Sequence, residues 1–139
     1  MRSLLEKERP GKTKVMSAGI AAASGYPATL YAIEAAKIWD LNVVPHRSQM
    51  LTEKLINSAD LIFTMSSEHS REVINMVPEA ENKTYLLKNF PEAGVMGESV
   101  EDPIGQSLEQ YNETFLEIGE YLGKHLPEIL NLIDRRQYA

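Results

Sequence analysis

The sequence predicts an α/β fold in which helices cover a mainly parallel β-sheet. Three short apolar runs, at residues 14–20, 59–65 and 83–87, have the length and composition of buried strands. Segments with helical spacing of apolar residues separate these runs, and a long one follows the last of them. Strands that alternate with helices normally form parallel sheets, so we expect a layered α/β domain. Three strands are few for such a sheet, which indicates that one element is lacking.

Each predicted helix has a start or stop signal in the sequence. A first helix ends at the Pro10-Gly11 pair, and Pro78 ends a helix that Ser66 begins. Trp39 is the single tryptophan and is expected to anchor the core. The helices are predicted over residues 1–8, 29–41, 52–58, 66–77 and from Ser107 onward, with Pro127 a possible kink in the last.

Length and charge restrict the function classes. The chain has 139 residues, so we expect a single domain spanning residues 1–139. Lys and Arg number 14 against 20 for Asp and Glu, a net charge of −6 that argues against nucleic acid or anionic membranes as partners. No apolar run approaches the roughly 18 residues of a membrane span, and the charged first residues are unlike a signal peptide. The expected compartment is the cytoplasm.

The composition also excludes several kinds of site. The chain contains no cysteine, which rules out disulfides, thiolate metal sites and a thiol nucleophile from these residues. Its three histidines, at positions 46, 69 and 125, do not form a recognisable metal-binding set. The glycine-rich phosphate-binding motifs Gly-x-Gly-x-x-Gly and Gly-x-x-x-x-Gly-Lys-Ser/Thr are both absent. We therefore expect no metal and no cofactor.

The residues with the strongest chemical signal lie between Glu98 and Gly105, inside a long connector over residues 90–106. Asp102 is followed by Pro103, and an acidic residue held in this way is a candidate general acid. An ordinary Asp-Pro turn explains the pair equally well, and spacing alone favours that interpretation. His46 is a candidate base beside Ser48, but no nucleophile elbow surrounds this serine, so a loop histidine is the simpler explanation.

Several segments, taken together, resemble the low-molecular-weight protein tyrosine phosphatase family, which includes bacterial protein arginine phosphatases and is similar to thioredoxin-coupled arsenate reductases. The order and spacing of the segments carry the resemblance, which runs from Val15 onward. They are Ser17-Ala18-Gly19-Ile20, residues 32–39, residues 46–52, residues 59–65 with His69, and Glu101-Asp102-Pro103-Ile104-Gly105 before the final helix.

The resemblance implies a fold, an activity and roles for residues. The fold would be a three-layer, doubly wound parallel sheet, and the activity hydrolysis of phosphorylated protein side chains through a phosphocysteine. By position, Asp102 would be the general acid and Pro103 its rigid neighbour. Ser17 and His46 would support the phosphate-binding loop, and Ile104 would lie at the substrate mouth, where tyrosine-directed members often have an aromatic residue.

The sequence departs from the family at the nucleophile. The first, central strand and the Cys-x5-Arg loop are missing, and Met1 falls just after the point where this loop would end. We expect the chain to be an N-terminally incomplete phosphatase that is inactive by itself. Two alternatives remain: a non-catalytic phosphatase-like protein that binds or regulates a partner, and a hydrolase that uses Asp102 or Ser48 as nucleophile. An exposed sheet edge also leaves self-association open.

Overall fold

The computed structural model describes residues 1–20, 24–92 and 97–137. Its two β-strands are parallel and pair over three residues, from Ile62–Thr84 to Thr64–Leu86. The α/β class with a parallel sheet is thus confirmed. The elements in chain order are α1 (Arg2–Glu8), α2 (Leu30–Ile38), α3 (Glu53–Ser58), β1 (Ile62–Thr64), α4 (Ser67–Met76), a 3₁₀ helix (Pro78–Lys83), β2 (Thr84–Leu86) and α5 (Leu108–Gln137).

A β–α–β unit forms the centre of the fold. The Ser66 hydroxyl accepts a hydrogen bond from the His69 N–H at the start of α4, which satisfies one of the free donors of that helix end. Thr64 on β1 and Ser70 on α4 are buried, and their hydroxyls are 2.6 Å apart. Behind them lies a hydrophobic cluster formed by Ile56, Val73, Val77 and Ala80. This unit fixes where β1 ends.

The long helix α5 provides the other half of the core. One hydrophobic cluster joins Phe90 and Ile129 with Leu5 of α1, and the Arg9 guanidinium at the end of α1 binds both carboxylate oxygens of Asp134. A second cluster joins Leu87, Val100 and Leu122. α5 runs through Pro127 without interruption. Within the described ranges, no helix combines the length and apolar character that a membrane span requires.

Helix α2 packs on α5 through small and aromatic residues. Ala35 and Ala36 are fully buried, and Tyr31 meets Tyr111 edge-on with ring centroids 5.9 Å apart. Trp39 lies against Gly119 so closely that a Cβ there would be 2.7 Å from the indole ring. Trp39 is 41% exposed, so it covers the surface of α5. The prediction that it anchors the core is wrong.

The predicted strand over residues 14–20 does not form. The segment has no regular secondary structure and pairs only at Gly19, in an isolated parallel bridge with Met50. A strand needs a neighbour for its backbone groups, and no ladder partner lies beside this segment in the described part of the chain. The Val15 carbonyl instead accepts a hydrogen bond from the Arg2 guanidinium at 2.8 Å. The sheet of the described residues therefore has two strands and not the predicted three.

His125 on α5 is buried among aromatic rings. It packs against Phe90 and Tyr121, with ring centroids 5.4 and 5.9 Å away, and its Nε2 has no hydrogen-bond partner within the described residues. Burial lowers the pKa of His125 below its ordinary value; the Leu87 backbone opposes part of this shift and the charge of Lys124 adds to it. The folded state thus favours the neutral imidazole.

This burial predicts a loss of stability in mild acid. As the pH falls through the ordinary histidine range near 6.5, the unfolded chain binds a proton at this position before the folded chain does. The free energy of unfolding should therefore fall by up to about 1.4 kcal/mol per pH unit on account of this residue. Urea unfolding at pH 7.5 and 5.5 measures the effect, which His125→Leu should reduce. The exposed His69→Leu is the control; an equal reduction in both variants contradicts the assignment.

Candidate functional site

The loop that carries Asp102 is fastened to the end of β1. The Val100 N–H donates to the carbonyl of Met65, the residue that follows this strand, at 2.7 Å. The Val100 side chain is buried against Leu87 and Leu122. Asp102 therefore lies two residues from a fixed point at the carboxyl end of the sheet, the edge where ligands bind in parallel α/β folds. Residues 93–96 of the predicted connector lie outside the described residues.

Two successive turns hold the Asp102 carboxylate in place. Its Oδ1 accepts a hydrogen bond from the Ile104 N–H at 3.0 Å, and the Gln106 N–H donates to the Pro103 carbonyl at 2.9 Å. Gly105 has φ of +77°, a conformation that side chains rarely adopt. Asp102 and Ile104 are both exposed. The Asp-Pro segment is thus an ordered turn that presents an acid and an apolar side chain to solvent.

A second group of loops carries Ser17 and His46. The side chains of both residues are exposed, and neither makes a hydrogen bond within the described residues. The Ser17 carbonyl accepts from the Gln49 side-chain amide at 2.8 Å, and the His46 N–H donates to the Val43 carbonyl at 3.0 Å. Their polar groups are therefore available to another partner.

Ser48 and Gln49 hold these loops together, a role that the sequence did not reveal. The Tyr26 N–H donates to Ser48 Oγ at 3.0 Å, and the backbones of the same two residues are joined at 2.7 Å. The Gln49 carbonyl accepts from the Gly19 N–H at 2.9 Å. Ser48 thus accepts a hydrogen bond through its hydroxyl and donates one through its backbone N–H within a structural junction. Contacts between irregular loops leave no periodic pattern in the sequence. The only sequence feature that indicates these hydrogen bonds is the polar character of residues 46–49.

The structure brings the predicted site residues together in two separate groups. Gln49 links the segments of Ser17 and His46, and Pro103 and Ile104 share the turn of Asp102. Within residues 1–20, 24–92 and 97–137, no side-chain hydrogen bond or ion pair joins Asp102 to Ser17 or His46. The candidate site is therefore an acid on a rigid turn together with a separate set of polar loops.

Comparison with known proteins identifies the family of this chain. A sequence profile described as low molecular weight phosphotyrosine protein phosphatase matches residues 1–136. The chain belongs to this phosphatase family. The resemblance found in the sequence is thereby confirmed, and so is the family's α/β fold. The chain contains no cysteine, so the nucleophile that the resemblance implies is missing from these residues.

The relatives include both tyrosine and arginine phosphatases. The chain is 30% identical over 128 residues to a probable low molecular weight protein-tyrosine-phosphatase, EpsP, of Ralstonia solanacearum. The aligned region covers 92% of this chain and 84% of EpsP. It is 34% identical over 117 residues to the protein-arginine-phosphatase of Bacillus subtilis, covering 83% and 75% of the two chains.

Solved structures of the family superimpose well on this fold. The YwlE arginine phosphatase of Geobacillus stearothermophilus matches with a TM-score of 0.80 at 29% identity, over 92% of this chain and 80% of that one. Wzb of Vibrio vulnificus, solved with benzylphosphonate, matches with a TM-score of 0.77 at 34% identity, over 90% and 85% of the chains. The phosphatase fold thus extends over most of both molecules.

The turn after Asp102 predicts opposite effects of two glycine substitutions. Gly105→Ala should lower the free energy of unfolding by about 1 kcal/mol, since alanine is strained at this positive φ although its Cβ would meet no atom within 4 Å. Gly123→Ala is the matched control, because its Cβ is equally unobstructed but the residue lies inside α5. There alanine should stabilise by about 0.5–1 kcal/mol. Denaturant titration compares them; destabilisation by both would contradict the argument.

Proposed function

We propose that this protein removes phosphoryl groups from phosphorylated protein side chains, with Asp102 as general acid and with a cysteine thiolate from residues that precede Met1 in the natural protein. The observation that carries the proposal is the Asp102 turn at the carboxyl end of β1 in a chain of this family. Relatives named as tyrosine and arginine phosphatases support the substrate class.

The chemistry divides into two steps with one acid–base group. In the first, the thiolate attacks phosphorus, and the bond from phosphorus to the leaving oxygen or nitrogen breaks as that atom takes the proton of Asp102. In the second, the Asp102 carboxylate accepts a proton from water, whose oxygen attacks the phosphocysteine. Inorganic phosphate leaves, the thiolate is regenerated and Asp102 is again protonated. A turn that fixes the carboxylate keeps it within reach of both the leaving atom and the attacking water.

The remaining site residues have positioning roles in this proposal. Pro103 and the hydrogen bond to Ile104 restrict the Asp102 side chain, while exposed Ile104 contributes an aliphatic wall at the substrate mouth. An aliphatic wall lacks the ring stacking that favours phosphotyrosine, so it suits phosphoarginine or another narrow side chain. Ser17 and His46 donate hydrogen bonds to the phosphate-binding loop and so hold its shape.

The first residues of the chain support the idea of a preceding loop. Met1 packs against the cluster that contains Val100, so residues before it would enter beside the Asp102 loop. Burial, and secondarily the charge of Arg2, lowers the pKa of the Met1 amine. A peptide bond at this position would remove the buried ammonium charge. Arg2 and Ser3 match the Arg-Ser that ends a Cys-x5-Arg-Ser stretch, so on this match the loop ends at Arg2, and not before Met1 as predicted. We therefore assign Arg2 to hold phosphoryl oxygens, in place of its present bond to Val15.

Activity assays on two lengths of the protein test the thiolate source. The 139-residue chain should hydrolyse neither p-nitrophenyl phosphate nor phosphoarginine, because it has no cysteine. The protein extended by its natural in-frame upstream residues should hydrolyse at least one of them. Turnover by the shorter chain, abolished in Asp102→Ala or Ser48→Ala, would instead establish a cysteine-independent hydrolase. An upstream sequence without cysteine also refutes the proposal.

Replacement of Asp102 tests the acid. In the extended protein, Asp102→Asn should slow hydrolysis of a poor leaving group, such as a simple alkyl phosphate, by about 10²–10⁴. The effect on p-nitrophenyl phosphate should be much smaller, since nitrophenolate departs without a proton. The neighbouring Glu101→Gln is the matched control and should change neither rate. Equal slowing of both substrates by Asp102→Asn contradicts the assignment.

A second function is favoured by one observation, the complete absence of cysteine. On this alternative the 139-residue chain is itself a phosphatase-like protein that binds or regulates a partner. It requires that the chain be folded and monodisperse by itself and that no upstream residues restore hydrolysis. Light scattering and the assays above separate it from the first proposal, because an aggregated or unfolded 139-residue chain excludes it.

A further inference from the structure

Three side chains of α5 face the turn that follows β2. Glu117, Tyr121 and His125 recur at steps of four residues, so they lie on one side of the helix, and we call them the α5 ladder. Glu117 forms an ion pair with Lys88 at 3.2 Å, and the Lys88 ammonium lies 5.7 Å from the centre of the Tyr121 ring. His125 meets the Phe90 ring edge-on at 5.4 Å. The ladder therefore holds the first residues after β2 against α5.

Lys88 is an unusual residue in this position, because lysine side chains are rarely buried. Its side chain is only 13% exposed. Removing an ammonium group from water is unfavourable, and the Glu117 carboxylate and the Tyr121 ring offset part of that cost. An apolar side chain of the same size would avoid the cost altogether and often stabilises a protein. Stability alone therefore does not account for a lysine here.

The turn that the ladder holds supports the base of the Asp102 loop. This turn spans residues 87–90. The N–H of its first residue, Leu87, donates to the Thr64 carbonyl at 2.9 Å, at the carboxyl end of β1. The Leu87 side chain packs on Val100, whose own N–H fastens the Asp102 loop to the end of β1. Lys88 is thus covalently joined to the residue on which this anchor rests.

We propose that Lys88 is a positioning residue for the general acid Asp102. Its ion pair with Glu117 fixes the start of the 87–90 turn, and the turn in turn fixes Val100. Because Val100 is two residues before Asp102, its position sets how far the carboxylate reaches towards the leaving atom. Lys88 acts here through the chain and not on the substrate. The proposal rests on the proposed phosphatase activity and deepens it.

Replacement of Lys88 in the extended protein tests this role. Lys88→Met keeps an unbranched side chain but removes the charge, and it should slow hydrolysis of a simple alkyl phosphate by about 10–100-fold, because a small displacement of the acid is costly. Hydrolysis of p-nitrophenyl phosphate, which needs no acid, should change by less than about threefold. KM for both substrates should stay within about twofold. Equal slowing of both substrates, or no slowing of the alkyl phosphate, overturns the proposal.

Lys124→Met is the matched control for this experiment. The Lys124 ammonium lies at the same 5.7 Å from the Tyr121 ring, but the residue is exposed and belongs to α5 itself. Its loss removes the same cation from the same ring without releasing the turn, so neither rate should change. Selective slowing of the alkyl phosphate by Lys124→Met as well would show that charge near Tyr121, and not attachment of the turn, is responsible, which refutes the role of Lys88.

A double-variant comparison tests the ion pair. Glu117→Gln should reproduce the selective slowing, because it removes the other half of the same interaction. The double variant Lys88→Met/Glu117→Gln should then be no slower than the slower single variant, since only one interaction is lost. Circular dichroism checks that each variant is folded. Slowing that multiplies in the double variant means that the two residues act independently, and it contradicts the proposal.

Amide hydrogen exchange in the 139-residue chain tests the structural step without any activity. The Val100 N–H, bonded to the Met65 carbonyl, should exchange about tenfold faster in Lys88→Met than in the wild type. The N–H of buried Ser70 on α4 is the internal reference and should not change. Unchanged exchange at Val100, or an equal increase at both amides, overturns the positioning role. An extended wild-type protein that hydrolyses neither substrate refutes the proposed function instead, and the exchange at Val100 still decides whether Lys88 fixes the anchor.

Discussion

The burial of one face of α5 is the constraint on which the rest of the structure depends. Leu122 and Ile129 belong to two of the three hydrophobic clusters, and Asp134 near the end of the helix holds α1 through Arg9. Near its start, Tyr111 meets α2. A two-stranded sheet offers too little surface to order these segments by itself. The helix therefore acts as the support that joins α1, α2 and the sheet.

Local signals in the sequence predicted the helices well because their causes are local. Thr52 and Ser66 cap α3 and α4 through hydroxyl oxygens three residues from the N–H they satisfy, and such spacing is visible in the sequence. The segment at residues 14–20 was predicted wrongly for the opposite reason. Its apolar residues fit a strand, but a strand also needs a neighbour, and that requirement cannot be read from the segment itself.

The candidate site was predictable only where the sequence restricts the backbone. Asp102, Pro103 and Gly105 stand together, and each favours a turn for its own reason, so the acid turn could be anticipated. Its attachment to Met65 could not, because a backbone hydrogen bond between distant residues leaves no mark on side-chain composition. The same holds for Ser48 and Gln49, whose partners lie about 20 to 30 residues away.

The first turn of α5 connects the exposed helix α2 with the acid turn. Ser107 caps α5 directly after the turn that holds Asp102, since its hydroxyl accepts from the Gln110 N–H. The next residue, Tyr111, is buried against Tyr31, and its hydroxyl accepts a hydrogen bond from Thr29, the cap of α2, at 3.4 Å. Two helix caps therefore meet within one turn of α5. The Tyr111 N–H also donates to the Ser107 carbonyl at 3.1 Å, so the residue that meets the cap of α2 is itself fixed to the segment that follows Asp102.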